Sequence, residues 1–561
     1  MQPIDWIIAA GINGAIIFFG VAQSRQTRSS VDWFLAAKGL PWWIVGLSMF
    51  ATAVDSGDYV AVVGGAYRFG ISNLTAWWLG LPIGWLLLAF VMLPPLYRSG
   101  MFTNAEYLEY RFGPVARVLS ALIQLQYRTN VLGNIAYSLY LTFSVLTGWG
   151  PMTWCLVVLI AAAAGLYTAM GGLKSVAITD AIQSVFMLAA ALVLWLVVWQ
   201  AVGGWSGIEN RLEATDPKLV EEVMHVGGRT ADGAPAALVI FGWIAALSAY
   251  CIVNHSQAMR LLGARSEWDM QTAVILASVV TVIVMWFNIT LGIMGRALMP
   301  EIGVGPEAAI DEVFPRLVQQ YLGPGLVGLV VAGVLAGGIS TYDSIGSALA
   351  SVFTRDIYAR FVVKNREDGH YVRVSRFVTI AVIALSFLYV PFLKVGMVLF
   401  IMRLSSVAVI PLFTVYLMGA LTRVNRRSGT IGLVTGILFG ISSLLGETFQ
   451  WSLPFWWTNM WWAYPTSMIV TASAMVLATV ATGWENRETL RGLVTMSDDA
   501  IAPATSLAAT EGTWLERSRS EAIQLPAPDE SMLSGPWYAH PLFWAVAFIG
   551  AIGFVNLVLL W

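Results

Sequence analysis

The stretch 40–65, LPWWIVGLSMFATAVDSGDYVAVVGG, decides the fold because it is apolar at both ends and polar in the middle. Its middle places two aspartates, Asp55 and Asp58, together with a serine and a glycine. An ionised carboxylate at the centre of a bilayer costs about 3 kcal/mol, and irregular backbone is stable at that depth only where it lines a cavity or is buried in protein. The stretch therefore predicts a discontinuous helix with free carbonyls near Ala51 to Val54. The alternative is that the two aspartates lie at a membrane interface.

The composition of the whole chain is that of a polytopic membrane protein. Of the 561 residues 58% are apolar and only 11% are charged, and the mean hydropathy is +0.72. A chain of this composition has too few polar residues to cover the surface of a water-soluble protein. The net charge of -2 gives no basic excess for binding nucleic acid. The two cysteines, Cys155 and Cys251, lie in apolar segments and have neither disulfide-framework nor metal-ligand spacing.

Fourteen segments are long and apolar enough to cross a membrane, for which about 20 residues are needed. The first has no positive region before it and no cleavage site after it, so we interpret it as a retained span and not as a signal peptide. The candidate spans are 3–22, 40–65, 73–95, 118–147, 151–170, 176–200, 235–261, 269–298, 324–352, 374–393, 395–421, 428–447, 459–482 and 540–561.

The distribution of lysine and arginine predicts the orientation. If the N-terminus is outside, the cytoplasmic loops carry 22 of the 31 Lys and Arg residues, and the opposite loops carry seven. The positive-inside rule therefore predicts that both termini are extracytoplasmic, in a plasma (inner) membrane protein. The predicted cytoplasmic loops are 23–39, 96–117, 171–175, 260–268, 353–376, 422–427 and 483–539.

A second span repeats the polar interruption five spans after the first. The segment FGWIAALSAYCIVNHSQAMR (241–260) places Tyr250, Asn254 and His255 in an otherwise apolar helix. Interrupted helices at corresponding places in two halves are typical of inverted-repeat transporters, whose binding site lies at the membrane midplane. The predicted organisation is an extra span and loop (1–39), a first repeat (40–200), an external loop (201–234), a second repeat (235–421), two further spans (422–482), a linker (483–539) and a last span (540–561).

The span 324–352 carries a third polar group. Gly337, Ser340, Thr341 and Ser344 follow one another at helical spacings of three and four, which gives one face of small and hydroxyl side chains. Hydroxyls beside free carbonyls suit a weakly held monovalent cation, although small faces also serve helix packing. Asp343 favours the cation, because an acid within a span needs a partner, a proton or a cation.

At these residues the chain resembles the sodium:solute symporter family, over roughly residues 30–480. Family membership implies the ten-helix inverted repeat with broken first helices and sodium-driven solute transport. Four segments carry the resemblance: FATAVDSGDYVAVVGGAYRFG (50–70), AEYLEYRFG (105–113), GGLKSVAITDAIQ (171–183) and GISTYDSIGSALASVFTRDIY (338–358).

The resemblance implies two cation sites. The family's principal sodium site maps onto the carbonyls of Ala51, Val54 and Gly337 and the hydroxyls of Ser340 and Thr341. Asp180 matches an acid on the family's sodium exit path. A second cation, sodium or a proton, would use Asp180, Ser340, Asp343 and Ser344.

The substrate residues depart from those of the family's sugar carriers, because aspartates stand at the first break. The first break therefore favours an amino or other polar organic solute; sugars and carboxylates stay open. Tyr250 lies where the family's sugar carriers place an inner aromatic gate, but Cys251 follows where they often have a tryptophan. Arg128 and Arg403 could pair with the aspartates or bind a substrate carboxylate. The candidate substrate or gating residues are Asp55, Ser56, Asp58, Tyr59, Asn134, Tyr250 and Asn254.

The expected function is sodium-coupled import of a small polar solute by alternating access, with sodium and the lipid bilayer as partners and no obligatory protein partner. A proton-coupled carrier of the same fold and a transporter-like receptor are the alternatives. A membrane enzyme would need a nucleophile or donor site, and only His255 with Asn254 offers a candidate.

Overall fold

The structure is a computed structural model that describes residues 1–24, 29–227, 234–303, 309–395, 397–490, 492–494, 511–525 and 535–561. The described chain is helical. In order, its main helices are α1 Pro3–Ser24, α2 Ser30–Leu35, α3 Trp42–Ala53, α4 Ser56–Phe69, α5 Ala76–Arg98, α6 Asn104–Phe112, α7 Pro114–Thr147, α8 Thr153–Met170, α9 Leu173–Val202, α10 Gly204–Thr215, α11 Lys218–Met224, α12 Ala236–Val253, α13 His255–Leu262, α14 Glu267–Leu298, α15 Val313–Tyr321, α16 Leu326–Val362, α17 Asp368–Leu393, α18 Phe400–Leu421, α19 Ser428–Thr448, α20 Phe455–Thr458, α21 Met460–Thr482, α22 Trp514–Gln524 and α23 Pro541–Leu559.

Each of the fourteen predicted spans has a helical counterpart. Within the described ranges, twelve helices are both long and apolar enough to cross a membrane. The other two crossings are the interrupted pair α3–α4 and the 34-residue α7, in which polar side chains such as Arg128 lower the hydropathy. The all-helical, polytopic architecture is therefore confirmed.

The first predicted break lies between α3 and α4. Val54 ends α3 with an extended backbone (φ -112°, ψ 114°), and Asp55 is also extended. The Asp55 Oδ1 atom accepts a hydrogen bond from Gly57 N at 2.6 Å, and Asp58 Oδ2 accepts one from Asp55 N at 2.7 Å. The two aspartates thus cap the N-terminus of α4, which stabilises a helix start inside the protein.

The second break separates α12 from α13 at Asn254, whose Oδ1 accepts from Ser256 N at 3.0 Å. Asn104 Nδ2 donates to the carbonyls of Ile252 and Val253 at 3.2 and 2.9 Å. Gln124 completes the arrangement: its Nε2 donates to Asn104 Oδ1 at 3.1 Å, and its Oε1 accepts from His255 N at 3.0 Å. Side chains from α6 and α7 therefore satisfy the backbone groups that the break exposes.

Helix α16 forms the centre of the molecule and packs against α1, α9 and α17. All residues from Val327 to Ser351 except Leu329 are buried. Its N-terminus is capped from α1, since Asp5 Oδ1 accepts from Gly325 N at 2.7 Å and from Gly328 N at 3.0 Å. The first span therefore fixes the end of the helix that carries Ser340 and Thr341.

Both chain ends lie on one face of the helix bundle, which we call the terminal face. The Met1 amino group donates to Leu146 O at 3.0 Å, at the end of α7. Val226 N, in the segment between α11 and α12, donates to Leu560 O at 2.7 Å. The opposite face carries the loops after α5, α13 and α16, and α3 starts there.

An ion-pair network closes the opposite face. Glu109 of α6 binds Arg117 at 2.6 Å and Arg360 at 2.7 Å, and Arg117 also binds Asp356 at 2.6 Å. Burial alone would raise the pKa of Glu109, but the hydrogen bonds and charges of Arg360 and Arg117 outweigh it and lower the pKa below its ordinary value of 4.5.

The segment 483–539, predicted to be a linker, contains the folded helix α22 on this face. Trp514 stacks on Tyr371 with ring centroids 3.9 Å apart, the Arg355 guanidinium carbon lies 5.0 Å from the Trp514 ring centroid, and Arg519 Nε donates to Ser99 O at 2.8 Å. Residues 495–510 and 526–534 of this segment lie outside the described residues.

Replacing Glu109 with Gln is expected to destabilise the protein at neutral pH by about 3–5 kcal/mol, because two buried guanidinium groups lose an anionic partner and, among the described residues, only Arg117 keeps another, Asp356. Because the folded pKa of Glu109 lies below the unfolded one, its stabilisation is present above about pH 4.5 and is lost as the pH falls through the folded pKa. The thermal midpoint of the variant, measured against pH, should accordingly lose part of the decline of wild type below pH 4.5. Glu312→Gln is the control, since its pair with Arg316 is partly exposed and is worth less than about 1 kcal/mol. Equal effects of the two variants would contradict a structural role for the Glu109 network.

Candidate sodium and solute sites

Oxygen atoms from the first break meet the hydroxyl face of α16. Ser340 Oγ donates to Ala51 O at 2.8 Å and to Gly337 O at 2.9 Å, and Thr341 Oγ1 donates to Ala51 O at 3.4 Å. Ala51, Ser340 and Thr341 are fully buried. Four of the five residues predicted for the principal sodium site are thus linked by hydrogen bonds, and the fifth, Val54, is the extended residue at the break itself.

Gly337 allows this approach of α16 to the break. A Cβ atom at this position would lie 3.3 Å from the Asp55 carbonyl carbon and 3.4 Å from Ser56 N. A side chain at this position would require the backbone of the break to shift by a few tenths of an ångström. The carbonyls and hydroxyls that come together are hard oxygen donors, and the C-terminal end of α3 contributes a partial negative charge. The donor set fits a small monovalent cation, as at the interrupted helices of other carriers.

Ser340 belongs to both predicted cation sites. The other three residues predicted to hold a second cation, Asp180 on α9 and Asp343 and Ser344 on α16, lie nearer the opposite face. Asp180 Oδ2 accepts from Ser48 Oγ at 2.6 Å, and Ser344 Oγ donates to Asp343 Oδ1 at 3.3 Å. The structure places a further residue among them. Arg260 Nη2 donates to Asp180 Oδ2 at 2.9 Å and to Ser344 Oγ.

The predicted loop 260–268 is wrong at its first residue, Arg260. The residue lies inside α13, and its side chain is fully buried. The sequence placed it in a loop because charged residues near the end of an apolar segment are ordinarily assigned to the interface, where they can reach water. Its partners come from three other helices, so no local pattern could have revealed its burial.

A cavity of about 120 Å³ lies on the other side of the first break, and four of the predicted substrate residues line it: Asp55, Asp58, Asn134 and Tyr250. The wall also contains aromatic side chains from α5, α7, α12 and α21, which sequence reasoning did not single out. These are Trp77, Tyr127, Trp243 and Tyr464. The combination of aromatic faces with a few polar groups is typical of small-molecule sites.

The other three predicted substrate residues do not line this cavity. Ser56 Oγ hydrogen-bonds Ser138 Oγ at 2.8 Å, and Tyr59 Oη donates to Met187 O at 2.7 Å. Asn254 caps α13. These side chains hold the two breaks against α7 and α9, because a helix end inside the membrane needs partners for its polar groups.

Arg128 does not itself line the cavity, but its guanidinium carbon lies 5.1 Å from the ring centroid of Tyr250, which does. The side chain is 2% exposed, and none of its three nitrogens has a hydrogen-bond partner among the described residues. Its charge attracts both Asp55 and Asp58. Arg403, the other arginine considered for this role, instead pairs with Glu447 of α19 at 2.6 Å, so the suggestion that it faces the aspartates is wrong.

Substitution of Gln124 tests whether the stability of the second break depends on the side chains that bind its backbone groups. Gln124→Leu leaves the His255 N–H and the Asn104 amide oxygen without their partner, at about 1–3 kcal/mol for each buried group. We expect a lower thermal midpoint in detergent for this variant. Gln126→Leu, two residues along α7 in a lipid-facing groove beside Phe353, should change the midpoint little; a similar loss in both variants would argue against the break as the cause.

The chain is similar in sequence and in fold to known proteins. The profile of the sodium:solute symporter family matches residues 33–436, which is most of the chain and includes both breaks and α16. The chain belongs to the sodium:solute symporter family. It is a membrane transporter, not an enzyme, and sodium and a solute are its ligands.

Two relatives have similar sequence identity to this symporter. Sodium/myo-inositol cotransporter 2 of Rattus norvegicus is 26% identical over 79% of this chain and 70% of its own length. Sodium/glucose cotransporter 4 of Homo sapiens is 27% identical over 79% of this chain and 68% of its own length.

Solved structures show the same fold. A substrate-bound, outward-open Na+-coupled sialic acid symporter superposes with a TM-score of 0.72 at 20% identity, over 86% of this chain and 99% of that chain. Mhp1, a nucleobase-cation-symport-1 family transporter in a closed conformation, gives a TM-score of 0.53 at 14% identity, over 87% of this chain and 97% of that one. The predicted fold class, with broken first helices in each repeat, is confirmed.

Proposed function

We propose that this symporter imports a small polar solute with sodium bound by Ala51, Val54, Gly337, Ser340 and Thr341. The observation that carries the proposal is the junction of Ala51 O with Ser340 Oγ and Thr341 Oγ1. It joins the end of α3 to α16. An ion at this junction would favour the conformer in which the two helices meet.

The same broken helix serves the solute, because Asp55 and Asp58 at the start of α4 line the cavity. An ion that fixes the end of α3 therefore also positions the cavity wall. Such coupling is reciprocal: sodium raises the affinity for the solute, and the solute raises the affinity for sodium by the same factor. The electrical part of the driving force is about 2.3 kcal/mol per charge per 100 mV.

Removing the two hydroxyls tests the sodium site. Ser340→Ala combined with Thr341→Ala deletes two of the five proposed ligands and is expected to raise the sodium concentration for half-maximal solute uptake by about tenfold or more, at about 1.4 kcal/mol per factor of ten. Ser347→Ala is the matched control, because its hydroxyl donates to Ser344 O within its own helix. Unchanged sodium dependence in the double variant would remove this site from the proposal.

A solute in the cavity would donate hydrogen bonds to Asp55 and Asp58, and one that extends past Tyr250 would accept them from Arg128. Aromatic side chains such as Trp77 and Trp243 would cover its apolar faces. A sugar or polyol meets these requirements, as do an amino acid and a sugar acid. The relatives named for myo-inositol and glucose and the sialic acid symporter support a polyhydroxylated solute. The Arg128 guanidinium, which has no hydrogen-bond partner among the described residues, favours a solute that carries a carboxylate.

Arg128→Gln separates these solute classes. If the guanidinium binds a carboxylate, the variant should lose about 1.5–3 kcal/mol of affinity for carboxylated solutes, because hydrogen bonds to charged groups are of that size. Neutral polyols should be affected much less. Competition uptake assays with matched neutral and carboxylated solutes give both numbers, and Arg403→Gln serves as the control. Equal losses for the two classes would assign Arg128 to the internal balance of Asp55 and Asp58.

We propose that the protein lies in the plasma membrane with its terminal face outside the cell. The cavity residues Asn73 and Trp77 lie near the start of α5, towards the terminal face, and Asp55 marks the depth of the break. The cavity therefore occupies the outer half of the protein. The excess of Lys and Arg in the loops of the opposite face supports this orientation.

Proton coupling is the second candidate, since two buried acids, Asp180 and Asp343, stand near one arginine. A carrier that used protons alone would take up solute equally well in sodium and in choline. The expectation of no obligatory protein partner and no nucleic acid stays a prediction.

A further inference from the structure

Arg260 joins four helices immediately beside the sodium site. Its Nε donates to Ser48 Oγ of α3 at 2.7 Å, its Nη2 to Asp180 of α9 and Ser344 of α16, and its Nη1 to Ser256 O of its own helix at 2.8 Å. Every side-chain nitrogen of the guanidinium is thus used. The guanidinium stands among residues that a second cation would bind.

The position of Arg260 relative to the sodium site follows from the helices that it contacts. Helix α3 rises from the opposite face, so Ser48 lies nearer that face than Ala51. Helix α16 descends towards the same face, so Ser344 lies one turn beyond Ser340. Thr52 connects the two levels, because its Oγ1 donates to Ser48 O at 2.7 Å and lies 3.1 Å from Ser344 Oγ. Arg260 therefore lies between the sodium site and the opposite face.

The charged side chains near this site would be neutralised by one added cation. Asp180 and Asp343 are fully buried, and Asp180 Oδ1 and Asp343 Oδ2 have no partner among the described residues. With both carboxylates ionised, Arg260 offsets one and leaves a net charge of -1. One sodium ion at the Ala51–Ser340 junction neutralises the remainder, and burying an uncompensated charge is unfavourable.

We propose that Arg260 is a tethered cation that occupies the second cation position, so that this symporter binds one sodium ion and Arg260 closes the path of that ion to the cytoplasm. The proposal rests on the sodium site proposed above. Release of sodium to the cytoplasm then requires Arg260 to leave Asp180 and Ser344. Arg260 is a positioning residue in this scheme, because it acts on the ion through the carboxylates.

Counting bound sodium tests the proposal without knowledge of the solute. The full-length protein is purified, and bound ²²Na⁺ is measured at saturation in choline buffer. Wild type is expected to bind one ion per chain. Arg260→Gln frees Asp180 and is expected to bind two, whereas Arg260→Lys keeps the charge and should restore one. Arg265→Gln, an exposed arginine paired with Asp269 on the same face, should stay at one.

A second variant, in which the net charge of the site is unchanged, tests the proposal if Arg260→Gln does not fold. Arg260→Gln combined with Asp180→Asn removes the pair as a unit, which buried ion pairs tolerate better than loss of one partner, and should bind one ion within a few-fold of the wild-type affinity. Asp180→Asn alone should weaken sodium binding at least tenfold, because Arg260 then neutralises Asp343. Two ions in wild type, one ion in a folded Arg260→Gln, or unchanged affinity in Asp180→Asn would overturn the proposal. Absence of sodium binding in wild type would instead contradict the sodium site itself.

Discussion

The structure depends on one constraint: polar backbone groups at the depth of a membrane must find partners inside the protein. Two helices are interrupted there, and each interruption is held by side chains. Asp55 and Asp58 cap α4 within the broken helix, whereas Asn104 and Gln124 reach the second break from α6 and α7. At the first break Ala51 O also meets the hydroxyls of Ser340 and Thr341, and this is the junction at which we propose that sodium binds.

The proposed sodium site and the cavity proposed for the solute share the first break, which gives a physical basis for coupling between the two ligands. Ala51 at the end of α3 contacts Ser340 of α16, and four residues later Asp55 lines the cavity. Arg260 lies on the other side of the junction, towards the opposite face. In the proposed scheme, solute, sodium and guanidinium occupy successive levels along one path through the protein, and a rearrangement of α3 against α16 would affect all three.

Much of this arrangement is predictable from sequence. Hydropathy gives the spans, and paired aspartates within an apolar segment indicate a break near Val54. Resemblance to known carriers supplies Ser340 and Thr341. The residues that sequence reasoning missed, Arg260, Asn104 and Gln124, act through contacts between segments far apart in the chain. Their roles depend on tertiary packing, and a guanidinium near the end of an apolar segment has the same local pattern whether it is buried or faces water.

Thermal unfolding of the purified protein in sodium and in choline, at equal ionic strength, tests the central claim most directly. A cation that binds only the folded protein raises the melting temperature by mass action. The account predicts a higher midpoint in sodium that increases with sodium concentration, and a further sodium-dependent increase with the transported solute. Identical unfolding curves in sodium and choline would contradict a sodium site at the junction of α3 and α16.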